Sequence, residues 1–141
     1  MSISKAQATW TGTLKEGKGT VKGGSGKFEA PFTFATRFEG AAGGTTPEEL
    51  IGAAQAGCLS MFLAAQLAKD GFPPNLIETS ATVHLDAGPV ISRIELDLLA
   101  DVPGVSEAIF NEKVDFSKQN CPVSKALAAI PSISLTAKLK K

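Results

Sequence analysis

The chain has 141 residues, 43% of them apolar, and its 14 basic and 14 acidic residues cancel. It is long enough for one globular domain with a real core, and this composition excludes a disordered protein. No cluster of lysine or arginine follows a predicted element, so we expect no nucleic-acid partner. The first residues, MSISKAQATW, lack the apolar core of a secretory signal. We therefore expect a cytoplasmic protein, in which the two cysteines do not form a structural disulfide of the kind found in extracellular proteins.

The first forty residues are predicted to form a β-meander. The segment AQATW alternates apolar and polar residues, and EGKG and GGSG are turn sequences. The segment KFEAPFTFATRFEG alternates again and is predicted to be the last strand of the meander. In that strand Phe34 and Phe38 share one face, and Arg37 faces away from them.

A long central helix is predicted over residues 47–69. Thr46 fits the N-cap, a proline fills the first helical position, and Glu49 stands where a capping box requires it. Gly71 fits the end of the helix. Residues 50–68 are nineteen uncharged residues, close to membrane-spanning length, but they include two glutamines, a serine and two glycines. We therefore predict a helix buried at the centre of the domain, and no membrane partner.

The remaining residues are predicted to form a β-hairpin, two further helices and a final strand. Alternating segments predict the strands, and apolar residues at helical spacing predict the helices. The predicted bounds are 77–86 and 90–100 for the hairpin, 105–116 and 122–129 for the helices, and 133–139 for the last strand. This order predicts a single α+β domain over residues 1–141.

Two cysteines are candidates for redox chemistry. Cys58 lies in the run AAQAGCLSMFLAA, where a free cysteine is more often a small buried hydrophobe than a nucleophile. Cys121 precedes Pro122 and is predicted to be the N-cap of the second late helix, where the helix dipole lowers a thiol pKa. An inert loop cysteine is the alternative. Their spacing of sixty-three residues, with one histidine in the chain, does not fit a structural zinc site, so no metal is expected.

Arg37 is one of only two arginines in the chain. A guanidinium can hydrogen-bond a thiolate or an oxygen anion while another of its edges binds a carboxylate, which lysine cannot do. An exposed strand arginine without a role is the competing interpretation.

Residues 37–69, RFEGAAGGTTPEELIGAAQAGCLSMFLAAQLAK, together with NCPVSKAL at 120–127, resemble the OsmC/Ohr family of osmotically inducible and organic hydroperoxide resistance proteins. The CPVSKAL segment favours the OsmC branch. The resemblance spans nearly the whole chain and implies an OsmC-like fold and a thiol-dependent peroxidase, active as an intertwined homodimer. One departure is Gln55, where relatives often have histidine.

The resemblance implies roles for four residues. Cys58 is implied as the peroxidatic cysteine and Cys121 as the resolving cysteine, while Arg37 and Glu48 order the reactive thiolate. On a straight helix Glu48 lies about 15 Å along the axis from Cys58. We therefore expect it to act through a break near Gly52 or across the dimer.

These candidates fit hydroperoxide reduction, which needs a thiolate, stabilisation of the departing alkoxide, and a second thiol that rescues the sulfenic acid. Burial alone would raise the pKa of Cys58, so Arg37 has to offset it. Apolar neighbours such as Met61 and Phe62 favour an organic hydroperoxide as substrate. The resemblance points to a dithiol or lipoyl-type reductant, and no cofactor is expected. A redox sensor and a binder of an apolar small ligand remain as alternatives, neither of which would sustain turnover.

Overall fold

The computed structural model describes residues 1–141, which divide into two compact units, residues 1–50 and residues 51–141. Six strands and four helices follow one another in the order β-β-β-α-α-β-β-α-α-β, which confirms the predicted α+β class. The strands are β1 (Ala6–Thr11), β2 (Lys18–Gly23), β3 (Glu29–Phe32), β4 (Leu76–Asp86), β5 (Val90–Asp101) and β6 (Ser132–Leu139). The helices are α1 (Phe34–Phe38), α2 (Pro47–Lys69), α3 (Glu107–Asn120) and α4 (Pro122–Ala126).

The first unit is built on the predicted meander, an antiparallel sheet in the order β1-β2-β3. Its aromatic residues meet across the sheet, and the ring centres of Trp10 and Phe32 are 5.3 Å apart. Gly19 pairs with both residues in register. A Cβ atom at Gly19 would come within 2.7 Å of both rings, so the close packing of these rings requires glycine there.

The prediction of a strand at Arg37 is wrong, because residues 34–38 form helix α1. Thr33 ends the extended segment and caps the helix. Its Oγ1 accepts from the Thr36 N–H at 3.1 Å, and Thr36 Oγ1 accepts from the Thr33 N–H at 2.9 Å. This reciprocal capping box is local, and it outweighs the alternating pattern. Arg37 does not face away from the aromatic residues, since its Cζ lies 5.2 Å from the centre of the Phe38 ring.

Helix α2 runs over Pro47–Lys69 without interruption, so the expected break near Gly52 is not present. Thr46 is the N-cap as predicted, with its Oγ1 accepting from the Glu49 N–H at 2.9 Å. The exposed Glu49 side chain makes no return hydrogen bond, so the predicted capping box is only half formed. Gly71, with φ of +90°, follows the helix as predicted.

One face of α2 is buried in the core of the second unit. Leu59, Leu63 and Leu67 recur every four residues and are fully buried in the main hydrophobic cluster. By length and composition α2 could also cross a membrane, with a mean hydropathy of 1.5 over 18 residues, but its leucine face is occupied by this core. The opposite face is exposed in the single chain, where Met61 is 77% exposed.

The second unit carries a second sheet in the order β4-β5-β6. The predicted hairpin is confirmed, with Ala81 opposite Leu96 and Val83 opposite Ile94. Strand β6 pairs parallel to β5, and the connection that parallel pairing requires contains α3 and α4. Helix α3 continues four residues beyond the predicted end at residue 116, since its buried face extends to Ser117. Helix α4 ends at Ala126, three residues before the predicted end at residue 129.

Candidate active site

Cys58 lies in the middle of α2 and is only partly buried. Burial raises the pKa of its thiol. The backbone N–H of Val123 lowers that pKa by hydrogen bonding to the sulfur, and the neighbouring Cys121 thiol raises it again. The net direction is upward, so the single chain favours the protonated thiol. A nearby positive charge is needed to make Cys58 a nucleophile at neutral pH.

Cys121 lies at the junction of two helices, as the C-cap of α3 and the N-cap of α4. Its Sγ accepts from the Ser124 N–H at 3.4 Å, and its thiol donates to Ser124 Oγ at 2.9 Å. Cys121 is fully buried, and both cysteines are free thiols. Cys121 also adjoins Cys58 and raises the pKa of the Cys58 thiol. The structure thus brings the two predicted cysteines together.

A buried amide adjoins Cys121. Gln55 is fully buried, and its Nε2 donates to Ser124 Oγ at 3.3 Å. The other end of the amide, Oε1, has no hydrogen-bond partner. Sequence reasoning noted Gln55 only as a departure from histidine and did not single out Ser124. The sequence position of Ser124 could have indicated its contact with Cys121. It lies three residues after the N-cap cysteine, where a backbone N–H donates to the capping side chain.

Arg37 and Glu48 form an ion pair within the first unit. Arg37 Nη2 lies 2.7 Å from Glu48 Oε1, and Arg37 Nε lies 3.2 Å and 3.3 Å from the two carboxylate oxygens. Glu48 is 5% exposed, whereas the Arg37 side chain is 34% exposed. The carboxylate therefore holds one edge of the guanidinium, and Nη1 on the other edge makes no hydrogen bond within the chain.

An apolar cavity of about 240 Å³ opens beside Arg37 in the first unit. Its wall is mostly aromatic, and the Phe34 and Phe38 ring centres are 4.9 Å apart. Its lining residues are Trp10, Leu14, Phe32, Thr33, Phe34, Arg37 and Phe38. The strand predicted for this segment separated Arg37 from these rings, so sequence reasoning missed the cavity. It combines an apolar wall with a cation.

Comparison with known proteins decides the family. A profile of the family described as OsmC-like protein matches residues 40–136. The chain is 46% identical over 140 residues to peroxiredoxin OsmC of Escherichia coli, covering 96% of each chain. This chain belongs to the OsmC-like protein family. The identity to peroxiredoxin OsmC confirms the predicted OsmC branch and the prediction of a cysteine-based peroxidase.

Solved structures of OsmC-like proteins confirm the fold. The chain is similar to the OsmC-like protein of Mycoplasma pneumoniae, with a TM-score of 0.75, 18% identity and 99% of each chain covered. It is also similar to the organic hydroperoxide resistance protein OhrB of Bacillus subtilis, with a TM-score of 0.66 and 20% identity. That likeness covers 96% of this chain and 98% of OhrB.

Proposed function

We propose that this OsmC-like protein reduces organic hydroperoxides to alcohols in defence against oxidative stress, with Cys58 as the peroxidatic and Cys121 as the resolving cysteine. The observation that carries the proposal is the pairing of two free thiols, one partly exposed and one fully buried. A peroxidatic thiol must meet the substrate, and a resolving thiol must lie beside it without being oxidised first. The exposure of the two cysteines supports this division of roles.

In the first step the Cys58 thiolate attacks the distal oxygen of the peroxide. The O–O bond breaks, the alkoxide takes a proton and leaves as alcohol, and Cys58 becomes a sulfenic acid. Because burial raises the pKa of Cys58, the thiolate needs a compensating cation. We assign this role to Arg37, held at one edge by Glu48. Since α2 is unbroken, we place this contact across the interface of an intertwined homodimer.

In the second step the Cys121 sulfur attacks the sulfenic acid, which gives a Cys58–Cys121 disulfide and water. A dithiol or lipoyl-type reductant then reopens the disulfide through a mixed disulfide. The partial exposure of Cys58 supports attack at that sulfur, because Cys121 is fully buried.

The apolar cavity beside Arg37 supports an organic substrate. An alkyl or aryl group placed there leaves water, and each methylene contributes about 0.8 kcal/mol to binding, whereas hydrogen peroxide has no such group. The guanidinium at the cavity wall can stabilise the departing alkoxide.

The proposal is tested by turnover with cumene hydroperoxide and with hydrogen peroxide, using dihydrolipoamide as reductant. We expect sustained turnover that is faster with the organic peroxide. Without reductant, Cys121→Ser should consume about one equivalent of peroxide per chain and then stall, while Cys58→Ser should consume none.

Each alternative gives a different result in the same assay. A redox sensor would oxidise once per chain without sustained use of reductant, and a ligand binder would consume no peroxide. Equal bursts from the two serine variants would show that the roles of Cys58 and Cys121 are wrongly assigned.

A further inference from the structure

Gln55 is a buried polar side chain whose hydrogen bonding is incomplete. It is fully buried, its Nε2 donates to Ser124 Oγ at 3.3 Å, and its Oε1 has no partner. A buried amide oxygen without a partner destabilises the folded state, because it loses its hydrogen bonds to water. Turning the amide over would leave an unpartnered N–H in place of the oxygen. In either orientation one end of this amide is free to bond another group.

The free end of the amide lies on the helix that carries the peroxidatic cysteine. Gln55 is three residues before Cys58 on α2, and residues at this spacing are neighbours on one face of a helix. The other end of the amide is linked to the resolving cysteine, since Ser124 Oγ accepts from both Gln55 Nε2 and the Cys121 thiol. One side chain is thus linked to one thiol and adjacent to the other.

We propose that Gln55 is a positioning residue for the resolving step: its free amide group hydrogen-bonds the sulfenic acid of Cys58 while its Ser124-bound end steadies the Cys121 thiol. This inference rests on the proposed function. A sulfenic acid carries an O–H that can donate to Gln55 Oε1 and an oxygen that can accept from an amide N–H. It therefore satisfies the free end of Gln55 in either orientation of the amide, and it exists only after peroxide has reacted.

The step that Gln55 serves is balanced without an external oxidant. The Cys121 sulfur supplies the electron pair of the new S–S bond, and the S–O bond of Cys58 breaks with its pair on oxygen. That oxygen takes the Cys121 thiol proton and leaves as water. Cys121 is oxidised, Cys58 is reduced to the disulfide level, and Ser124 Oγ already accepts the thiol proton that has to move.

The test compares Gln55→Leu with Gln66→Leu, a matched change on the same helix. Gln66 is partly exposed, and its side chain makes no hydrogen bond. Leucine is preferred to methionine, whose thioether peroxide would oxidise. Reduced protein is mixed with one equivalent of cumene hydroperoxide, without reductant. Peroxide loss is measured as the first step, and disulfide formation as the second, by intact mass after acid quenching.

In Gln55→Leu we expect peroxide loss close to that of the wild type, but disulfide formation slowed by about 3- to 10-fold, the range that one neutral hydrogen bond supports. Excess peroxide should then give more sulfinic acid at Cys58 than in the wild type. The melting temperature should change little, because the lost hydrogen bond to Ser124 is offset by removal of the buried unpartnered oxygen. Gln66→Leu should match the wild type in both steps.

Disulfide formation at the wild-type rate in Gln55→Leu, or an equal slowing in Gln66→Leu, would overturn the inference. A wild type that forms no Cys58–Cys121 disulfide would instead overturn the proposed function. If Gln55→Leu does not fold, Ser124→Ala decides, because it breaks the link between Gln55 and Cys121. Ser124→Ala must then slow the second step and not the first, and unchanged kinetics would contradict the inference.

Discussion

At the scale of single residues, the Arg37–Glu48 pair differs from a surface salt bridge because its carboxylate is buried while its guanidinium is partly exposed. Glu48 is 5% exposed, and both of its carboxylate oxygens accept from Arg37. A buried carboxylate left without its cation is costly, so the pair holds the guanidinium in one orientation. The partly exposed side of Arg37 remains able to meet an anion. This arrangement suits a residue that serves a thiolate or an alkoxide.

We predict that Glu48→Gln shifts the reactivity of Cys58 to higher pH, because a loosened Arg37 stabilises the thiolate less. The thiolate is the reactive form, so a higher pKa means slower reaction at neutral pH and recovery of the rate as pH rises. The measurement is the pH dependence of Cys58 alkylation by iodoacetamide in a Cys121→Ser background. The burial that raises the pKa of Cys58 acts in the same direction.

The adjacent Glu49 is the matched control for that prediction. It is exposed and forms no ion pair, so Glu49→Gln should leave the alkylation profile unchanged. Identical profiles for the two variants would show that Glu48 does not position Arg37.

The local Cys121-Pro122 motif predicted the N-cap role of Cys121, whereas the pairing of Cys121 with Cys58 was implied only by the family resemblance. The sequence did not predict the contact of Gln55 with Ser124, which joins residues 69 positions apart. Such a contact depends on how α4 packs near α2 in the second unit, and no local pattern encodes that packing. Local sequence patterns therefore predicted the helix cap at Cys121 but not the tertiary contact between Gln55 and Ser124.

At the scale of elements, α1 and α2 differ in how strongly the sequence marks their first residues. The start of α2 was predicted because threonine, proline and glutamate stand in the expected positions. The start of α1 has a threonine as N-cap and another threonine three residues later, a weaker signal. The regular alternation of phenylalanines predicts a strand instead. Both signals were in the sequence, and the local hydrogen bonds of Thr33 and Thr36 prevailed.

We predict that Thr33→Ala destabilises α1 and lowers peroxidase activity, since this helix carries Arg37. Loss of an N-cap side chain costs about 1 kcal/mol, and a five-residue helix has little else to hold it. The measurements are the melting temperature and turnover with cumene hydroperoxide. Thr33→Ser keeps a capping oxygen and should retain both. Thr9→Ala, an exposed change on the edge strand β1, should retain activity. Full activity in Thr33→Ala would mean that the cap does not position Arg37.

At the scale of the whole molecule, the order of elements was largely predictable, because each strand and helix carries its own hydrophobic period. The helix α2 was predicted to be buried, and in the single chain its leucine face is. The opposite face presents Ala53, Gly57, Met61 and Ala65 to solvent. An exposed apolar stripe on a central helix is typical of an association surface. A second subunit of the proposed homodimer would cover it.

The proposed dimer predicts more than a doubled molecular mass. It predicts that Arg37 of one subunit stabilises the Cys58 thiolate of the other. Arg37→Gln and Cys58→Ser should each be nearly inactive, and their mixture, refolded together, should regain activity. Random assortment makes half of the dimers mixed, and each mixed dimer carries one complete site, so about a quarter of wild-type turnover should return. Light scattering on the same samples reports whether dimers are present.

The two cysteines provide the opposite control, because they are neighbours within one chain. A refolded mixture of Cys58→Ser and Cys121→Ser should form no Cys58–Cys121 disulfide after peroxide treatment, since no subunit carries both thiols. A disulfide-linked dimer on a non-reducing gel would mean that the thiols also meet between subunits. Dimers that recover no turnover in the Arg37→Gln and Cys58→Ser mixture would require Arg37 to act within its own chain. A monomer with full activity would exclude the shared site altogether.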